Sequence, residues 1–320
     1  MAWTRFGKKK DMPGGLWIKC ESCGQMLFRK EFETKHRVCQ SCGYHFTLPG
    51  RDRIALTADP GSFGELFTNL MAEDRLGFVD RVPYAQKLEE SFKKTGERDA
   101  MIVGTCTVKG LPVVLGVMNF AFMGGSMGMV VGEKVALAAE LALERKLPLV
   151  LFCCSGGARM HEGAISLMQM AKTCGSLHRL NEAGGFSISV MTHPTTGGVT
   201  ASFASVCDVL IAEPAALIGF AGPRVIATTI KKELPKGFQR AEFLLERGQI
   251  DRIVARDKMR DEIARLVAYA TGSDAVLAYA SAAAAEGSQP AAPAEVPAKD
   301  RDKKTKKGKD KERAKMVEEA

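Results

Sequence analysis

The 320-residue sequence has no long hydrophobic run. Its longest uninterrupted apolar stretch, near Leu147 to Cys154, is far short of the roughly 20 residues a membrane span needs, so no membrane association is expected. The opening M-A-W-T-R-F-G-K-K-K carries charge with no apolar segment behind it. No secretory signal is therefore expected, and the cytoplasm is the expected location. The nine cysteines then sit in a reducing compartment, which argues against a disulfide framework.

The body of the chain also lacks net charge. Of the formal +8, residues 1–10 supply four and residues 299–320 another four, which leaves residues 11–298 balanced. The basic character is confined to the ends, and from about Ser281 the composition turns to Ala, Pro, Glu and then Lys and Asp, the signature of a solvated, disordered tail. The expected division is therefore 1–50, 51–280 and 281–320.

Four cysteines call for a different explanation. Cys20, Cys23, Cys39 and Cys42 make C-x2-C-x15-C-x2-C, a zinc-site spacing in which each pair presents two thiolates to one tetrahedral ion. Gly24 and Gly43, one place after each pair, ease the tight turns. Met26 to Phe28 and His36 to Val38 suit a short hairpin between the pairs. His36 and His45 are read as surface histidines, since the four thiolates need neither. Residues 11–50 hold five basic and four acidic side chains, and four thiolates on one Zn²⁺ add a net charge of about −2. That is a poor footprint for nucleic acid, so a nucleic-acid-binding ribbon is the weaker alternative to a structural one.

Beyond the ribbon, short apolar strands alternate with helical segments, which implies an α/β core with mostly parallel pairing. Residues 48–94 read as mixed and helical, with Arg and Asp on a solvated face. Ala100 to Lys109 and Pro112 to Met118 read as a hairpin, and Val131 to Lys146 as a helix. Leu149 to Cys154 reads as a buried strand that keeps Cys153 and Cys154 in the core, and Glu162 to Leu180 as a helix burying Ile165, Met168, Ala171 and Cys174. Phe186 to Met191 reads as a strand, Val199 to Val206 as a short helix capped by Thr195 or Thr196, and Val209 to Ala212 and Leu217 to Phe220 as strands. Helices are expected near 224–233, 238–247 and 258–269.

Two of these units end in glycine turns, Ser155-Gly156-Gly157-Ala158 and Thr195-Thr196-Gly197-Gly198. Glycine pairs between a strand and a helix adopt positive φ and bring bare N–H groups close to a ligand, as an oxyanion hole requires. Gly124-Gly125-Ser126-Met127-Gly128 matches G-x-S-x-G, the nucleophile elbow of serine hydrolases. Its context is wrong, because Phe120 to Met123 separate it from the strand and nothing marks His178 or His193 as the base. A Gly-rich loop lining a pocket is the favoured reading, with a hydrolase at Ser126 as an alternative. No Ser-His-Asp set and no paired acids accompany the turns, so the residues alone point to an anion-stabilising pocket without an identified base.

S-G-G-A-R-M-H-E-G at 155–163, H-P-T-T-G-G-V-T-A-S-F-A at 193–204, and G-G-S-M-G at 124–128 followed by V-V-G-E-K at 130–134 stand in order behind the four-cysteine ribbon. Together they resemble the bacterial-type acetyl-CoA carboxylase carboxyltransferase β subunits, from about Trp17 to Tyr269. The resemblance implies a crotonase-like β/α spiral with a small N-terminal zinc ribbon. It also implies carboxyl transfer from carboxybiotin, held on a separate biotin carboxyl carrier protein, to acetyl-CoA, giving malonyl-CoA for fatty acid synthesis. By the same resemblance, Gly197 and Gly198 serve the thioester enolate, while Gly156, Gly157, Ala158 and Arg159 line the CoA side. A biotin carboxylase and an α subunit are the implied partners, in an α2β2 assembly with the active site between α and β. His161 stands where the family pattern has glutamine, and the tail inherits nothing.

The ribbon makes a direct prediction. Purified chain should contain about one zinc, and chelation should loosen residues 17–45, seen as early proteolysis there; protein free of zinc would refute it.

Overall fold

The computed structural model describes residues 16–222, 226, 228–229, 231, 233–235 and 237–272. Met1–Gly287 is one compact unit; the other, Ser288–Ala320, lies outside the described residues, as do the charged ends and most of the helix expected near 224–233. Among the described residues no helix is long and apolar enough to cross a membrane.

The ribbon repeats one device twice. Strand β1 (Trp17–Lys19) pairs antiparallel with β2 (Met26–Phe28) across the first cysteine pair. Val38 bridges His45 across the second. In each turn a glycine with positive φ, Gly24 (+74°) or Gly43 (+71°), returns its N–H to the first cysteine's carbonyl at 2.9 Å. The hairpin expected between the pairs is absent. Each cysteine pair sits at the tip of its own hairpin, and helix α1 (Arg29–Thr34) fills the space between.

Behind the ribbon come α2 (Gly50–Thr57), β3 (Gly64–Leu66), α3 (Tyr84–Thr95), β4 (Met101–Val108), β5 (Leu111–Met118), α4 (Met129–Arg145), β6 (Leu149–Ser155) and α5 (Ala164–Glu182). They are followed by β7 (Ser187–Thr196), β8 (Val209–Ala212), β9 (Ile218–Gly219), α6 (Ala241–Glu246), β10 (Arg252–Ile253) and α7 (Met259–Thr271). One sheet runs β10-β8-β7-β6-β5-β4-β3, with β9 beside the end of β7. β3, β4 and β5 pair antiparallel and the rest parallel. β6 is buried on both faces, as an all-apolar parallel strand requires. Leu149, Leu151 and Cys153 face α4 and α5, whereas Val150 and Phe152 face α2 and α7. The sheet is thus the middle of three layers, and parallel pairing brings the ends of β6 and β7 together.

Several local expectations are overturned. β7 does not stop at Met191 but continues to Thr196 through a cis His193–Pro194 bond. Residues 197–207 form successive turns, not a helix. Helix α5 turns the other way round. Its buried face is Ser166, Gln169, Thr173, Ser176, Leu177 and Leu180, while Met168 is 63% exposed and Leu167 57%. The polar residues can be buried because they bond to the main chain: Ser166 Oγ donates to Gly163 O and Thr173 Oγ1 to Gln169 O. They are also compact, and Gly132 lets α4 come so close that a Cβ there would collide with the Gln169 side chain.

Burial also claims charges that read as surface. Glu213, fully buried, holds Arg53 at 2.8 Å and Arg256 at 2.7 Å. Arg256 reaches on into the ribbon, donating to the carbonyls of His36 at 2.5 Å and Phe46 at 2.8 Å. His45 is buried too: Nδ1 bonds the Gly43 carbonyl at 2.7 Å and Nε2 accepts the Arg256 N–H at 3.3 Å. Burial lowers its pKa, in keeping with the neutral ring those bonds require. Burial works to raise the Glu213 pKa, but Arg53 and Arg256 overcome it and hold the carboxyl at about 2.

Because that pKa lies below its ordinary 4.5, the stability it contributes is complete above about pH 4.5 and is lost as pH falls towards 2. Glu213→Gln leaves two buried guanidinium groups unpaired and should cost about 3–5 kcal/mol, read as a lower urea midpoint, and should expose the ribbon to trypsin; an unchanged midpoint would contradict this linkage.

Candidate active site at two glycine turns

β6 and β7 end side by side, and the turns that follow them touch through their backbones. A Cβ on Gly157 would lie 3.2 Å from Gly197 Cα, and one on Gly197 only 2.8 Å from Gly157 Cα. Both glycines have positive φ, +115° and +65°, so neither the space nor the conformation admits a side chain. The threonines expected as helix caps brace this junction instead. Thr195 Oγ1 donates to Cys153 O at 2.9 Å and Thr196 Oγ1 to Ser155 O at 3.0 Å.

The loop 124–128 forms a third layer. Gly156 N–H donates to Gly124 O at 2.9 Å, Met127 N–H to Gly157 O at 2.8 Å, and Arg159 N–H to Met127 O at 2.8 Å. Gly125 must be glycine here, since a Cβ would collide with the Cys154 carbonyl.

The amides of the two turns divide sharply. Gly157 N–H donates to Ser155 Oγ at 2.9 Å and Gly197 N–H to Gly219 O at 3.0 Å. Ala158 and Gly198 have N–H groups with no partner among the described residues. These two residues are neighbours, a Cβ on Gly198 lying 3.5 Å from Ala158 Cβ. Unpaired main-chain donors at a strand end are uncommon unless a ligand or water takes them, and two together suit an oxyanion. The structure thus brings together Gly156, Gly157, Ala158, Gly197 and Gly198 but gives the Gly197 amide another acceptor.

Arg159 is not a lining residue. Its side chain is wholly buried on Asp99, beneath the turn. Its pKa is raised, because Asp99 outweighs the burial that opposes its charge. Asp99 and Tyr84, which complete this cluster, were not singled out in the sequence. Asp99 lies 60 residues from Arg159, and no spacing signals such a pair.

The histidines supply no base at the turns. Burial and then Arg240 push His193 down to about 4, and its Nδ1 accepts the Leu217 N–H at 3.1 Å. Its ring packs edge-on to Tyr44 of the ribbon. His178 is exposed beside Glu182. His161 stacks on Tyr84 with Nε2 3.1 Å from Lys87 Nζ, and burial and Lys87 lower its pKa. Ser126 Oγ accepts from Arg159 Nε at 3.0 Å, so the serine-hydrolase alternative lacks its base.

In the ribbon the four Sγ atoms lie within 4.8 Å of one another, with Cys20–Cys42 at 3.7 Å and Cys23–Cys39 at 3.8 Å. Four thiolates about 2.3 Å from a tetrahedral zinc stand about 3.8 Å apart. The cluster fits one structural zinc, and it is the only such group among the described residues.

Comparisons with known proteins agree with this geometry. Residues 48–270 match the carboxyl transferase domain family, and residues 17–42 the acetyl-CoA carboxylase zinc finger domain. The acetyl-coenzyme A carboxylase carboxyl transferase subunit beta of Thermus thermophilus is 52% identical over 285 residues, covering 85% of this chain and all of the relative. That of Desulforamulus reducens is 51% identical over 264 residues, covering 82% and 91%. Among solved structures, transcarboxylase 12S with methylmalonyl-coenzyme A aligns at a TM-score of 0.59 and 27% identity, over 75% of this chain and 44% of that one. The Pseudomonas malonate decarboxylase MdcD–MdcE heterodimer aligns at 0.55 and 25%, over 69% and 86%. A carboxyl transferase domain over most of its length, and an identity of half with relatives it covers almost end to end, place this chain in the family of acetyl-coenzyme A carboxylase carboxyl transferase β subunits.

Proposed function

We propose that this chain is the acetyl-CoA half of the carboxyltransferase, and that the unpaired N–H groups of Ala158 and Gly198 hold the thioester oxygen as it becomes an enolate oxyanion. The reaction is transfer of a carboxyl group from carboxybiotin on its carrier protein to acetyl-CoA, giving malonyl-CoA. The observation that carries the reading is the amide pair: one donor from the turn after each of two neighbouring strands, both without a partner among the described residues. Gly157 and Gly197 make the turns, Gly156 ties the first turn to the 124–128 loop, and Gly197, its own amide bound to Gly219, contributes conformation.

Among the described residues no histidine stands as a base at the turns, and biotin, when bound, supplies both the activated carboxyl group and a basic ureido nitrogen. What this chain does is orient the thioester, exclude side chains from the turn, and stabilise the developing charge. Fixed main-chain donors of this kind each account for about 10²–10³ in kcat.

The carboxybiotin side comes from an α subunit, completed by the carrier protein and biotin carboxylase in a cytoplasmic complex, with α2β2 as the expected core. The exposed Leu167 and Met168 on the outer face of α5, with Met160 just before it, support a contact of the α subunit there. An apolar patch of this sort on a folded subunit marks a contact surface. The same reading sets the domain boundary at residue 50, where α2 begins, and gives the tail from 281 to 320 no part in catalysis.

Gly198→Val should abolish turnover, by at least about 10²-fold, in the enzyme reassembled with its α subunit. The added side chain crowds Met127 and Ala158, while circular dichroism and zinc content should stay those of the parent; full activity would sink the oxyanion reading. Met168→Glu should weaken association with the α subunit on gel filtration by about tenfold or more, with the isolated chain's stability unchanged, and undiminished association would place that interface elsewhere.

A further inference from the structure

Arg159 immediately follows the first glycine turn, yet its side chain is wholly buried and every donor it has is engaged. Nη1 and Nη2 form a fork on the two Asp99 oxygens, each at 2.8 Å. Nη2 also donates to the Ser126 carbonyl at 2.8 Å, Nε to the Ser126 hydroxyl at 3.0 Å, and Nη1 to the Tyr84 hydroxyl at 3.2 Å. That set uses the five N–H groups of a planar guanidinium, which a lysine ammonium cannot reproduce.

Glu162 extends the cluster to α4. Its Oε1 accepts from the Tyr84 hydroxyl at 2.7 Å and its Oε2 from the Met129 N–H at 2.5 Å. Gly128 leaves no room for a Cβ beside that carboxylate, so the end of the 124–128 loop is seated directly on it.

A structural ion pair would need only Asp99. Here the guanidinium also clamps Ser126 through main chain and side chain together, and the next residue, Met127, forms the ladder with Gly157 and Arg159 described above. Ala158 lies between the two bonds of that ladder, which aims its unpaired N–H. Met127 also reaches Gly198, where a Cβ would stand 3.2 Å from Met127 Cε. Both oxyanion donors therefore lie against a loop that the Arg159 side chain grips at Ser126.

We infer that Arg159 is a positioning residue: through Ser126 and Met127 it sets the direction of the Ala158 amide towards the thioester oxygen. Ser126, the residue of the elbow-like motif, is the handle it grips. The inference rests on the reading of Ala158 and Gly198 as the oxyanion donors. It differs from a CoA contact, which would act on binding, and from a stabilising ion pair, which would act on the folded fraction.

The test uses the enzyme reassembled with its α subunit and biotinylated carrier protein, and compares Arg159→Lys, Ser126→Ala and Gly198→Val by kcat and KM for acetyl-CoA at matched zinc content and folded fraction. Arg159→Lys keeps the charge beside Asp99 but not the fork on Ser126, and should lower kcat by about 30-fold or more with KM within about threefold. Ser126→Ala keeps the Asp99 fork, so it decides the matter if the lysine variant does not fold. It should lower kcat by about three- to tenfold with KM unchanged, at matched folded fraction and with only a small fall in thermal stability from the Nε N–H left without its acceptor. A kcat within twofold of the parent in Ser126→Ala overturns the inference, as does a KM that rises alone in Arg159→Lys. An active Gly198→Val enzyme brings down the oxyanion reading itself. An inactive Gly198→Val beside a fully active Ser126→Ala brings down only the role of Arg159.

Discussion

The Cα atoms of Gly157 and Gly197 meet with no side chain between them, and the geometry of the site descends from that contact. Two parallel strands at their usual spacing of about 4.8 Å bring the following turns together, and only glycine at both positions lets the turns touch. Closure of the gap directs three of the glycine amides to internal acceptors and leaves those of Ala158 and Gly198 unpaired. What the junction offers a ligand is the pair of main-chain donors that the fold leaves over.

Two buried charge clusters serve this junction from opposite sides. Arg159, Asp99, Glu162 and Tyr84 lie under the first turn and seat the loop that backs it. Arg53, Glu213 and Arg256 lie under the other face of the sheet, and their outermost member is bonded to the ribbon main chain. Ion pairs of this kind add little net stability over a well-packed apolar alternative. What they contribute is direction: each guanidinium donates to specific carbonyls, so each cluster defines where a separate segment rests. The ribbon, whose four cysteines stand at the spacing of one zinc, is thereby joined to Glu213 just after β8 and, through Tyr44 and His193, to β7, the strand that leads into Gly197.

Much of this was legible from local chemistry. The cysteine spacing, the glycines with positive φ after each pair, the β4–β5 hairpin and the buried β6 each depend on a few neighbouring residues, and each formed as read. Readings that needed knowledge of a distant surface went wrong. Hydropathy on α5 marks Met168 as core, but the buried face is the polar one, whose Ser and Thr hydroxyls bond to the main chain, and periodicity cannot foresee that. Arg53 reads as part of a solvated face, and Arg159 as lining the CoA side, until Glu213 and Asp99 arrive from elsewhere in the sequence. His45 reads as a surface histidine and is instead a packed hydrogen-bond bridge.

The sequence by itself determined the chain's family, the zinc ribbon, the α/β alternation and the positions of the two glycine turns, because these are written in short spacings and in residues whose backbone freedom is intrinsic. Only the tertiary structure decided which glycine amide remains available, that Arg159 lies beneath the turn on Asp99, and that Leu167 and Met168 of α5 face outward. A hydrogen-bond donor has one direction and a buried charge needs a partner in space, and both are settled only when segments far apart in sequence have packed together.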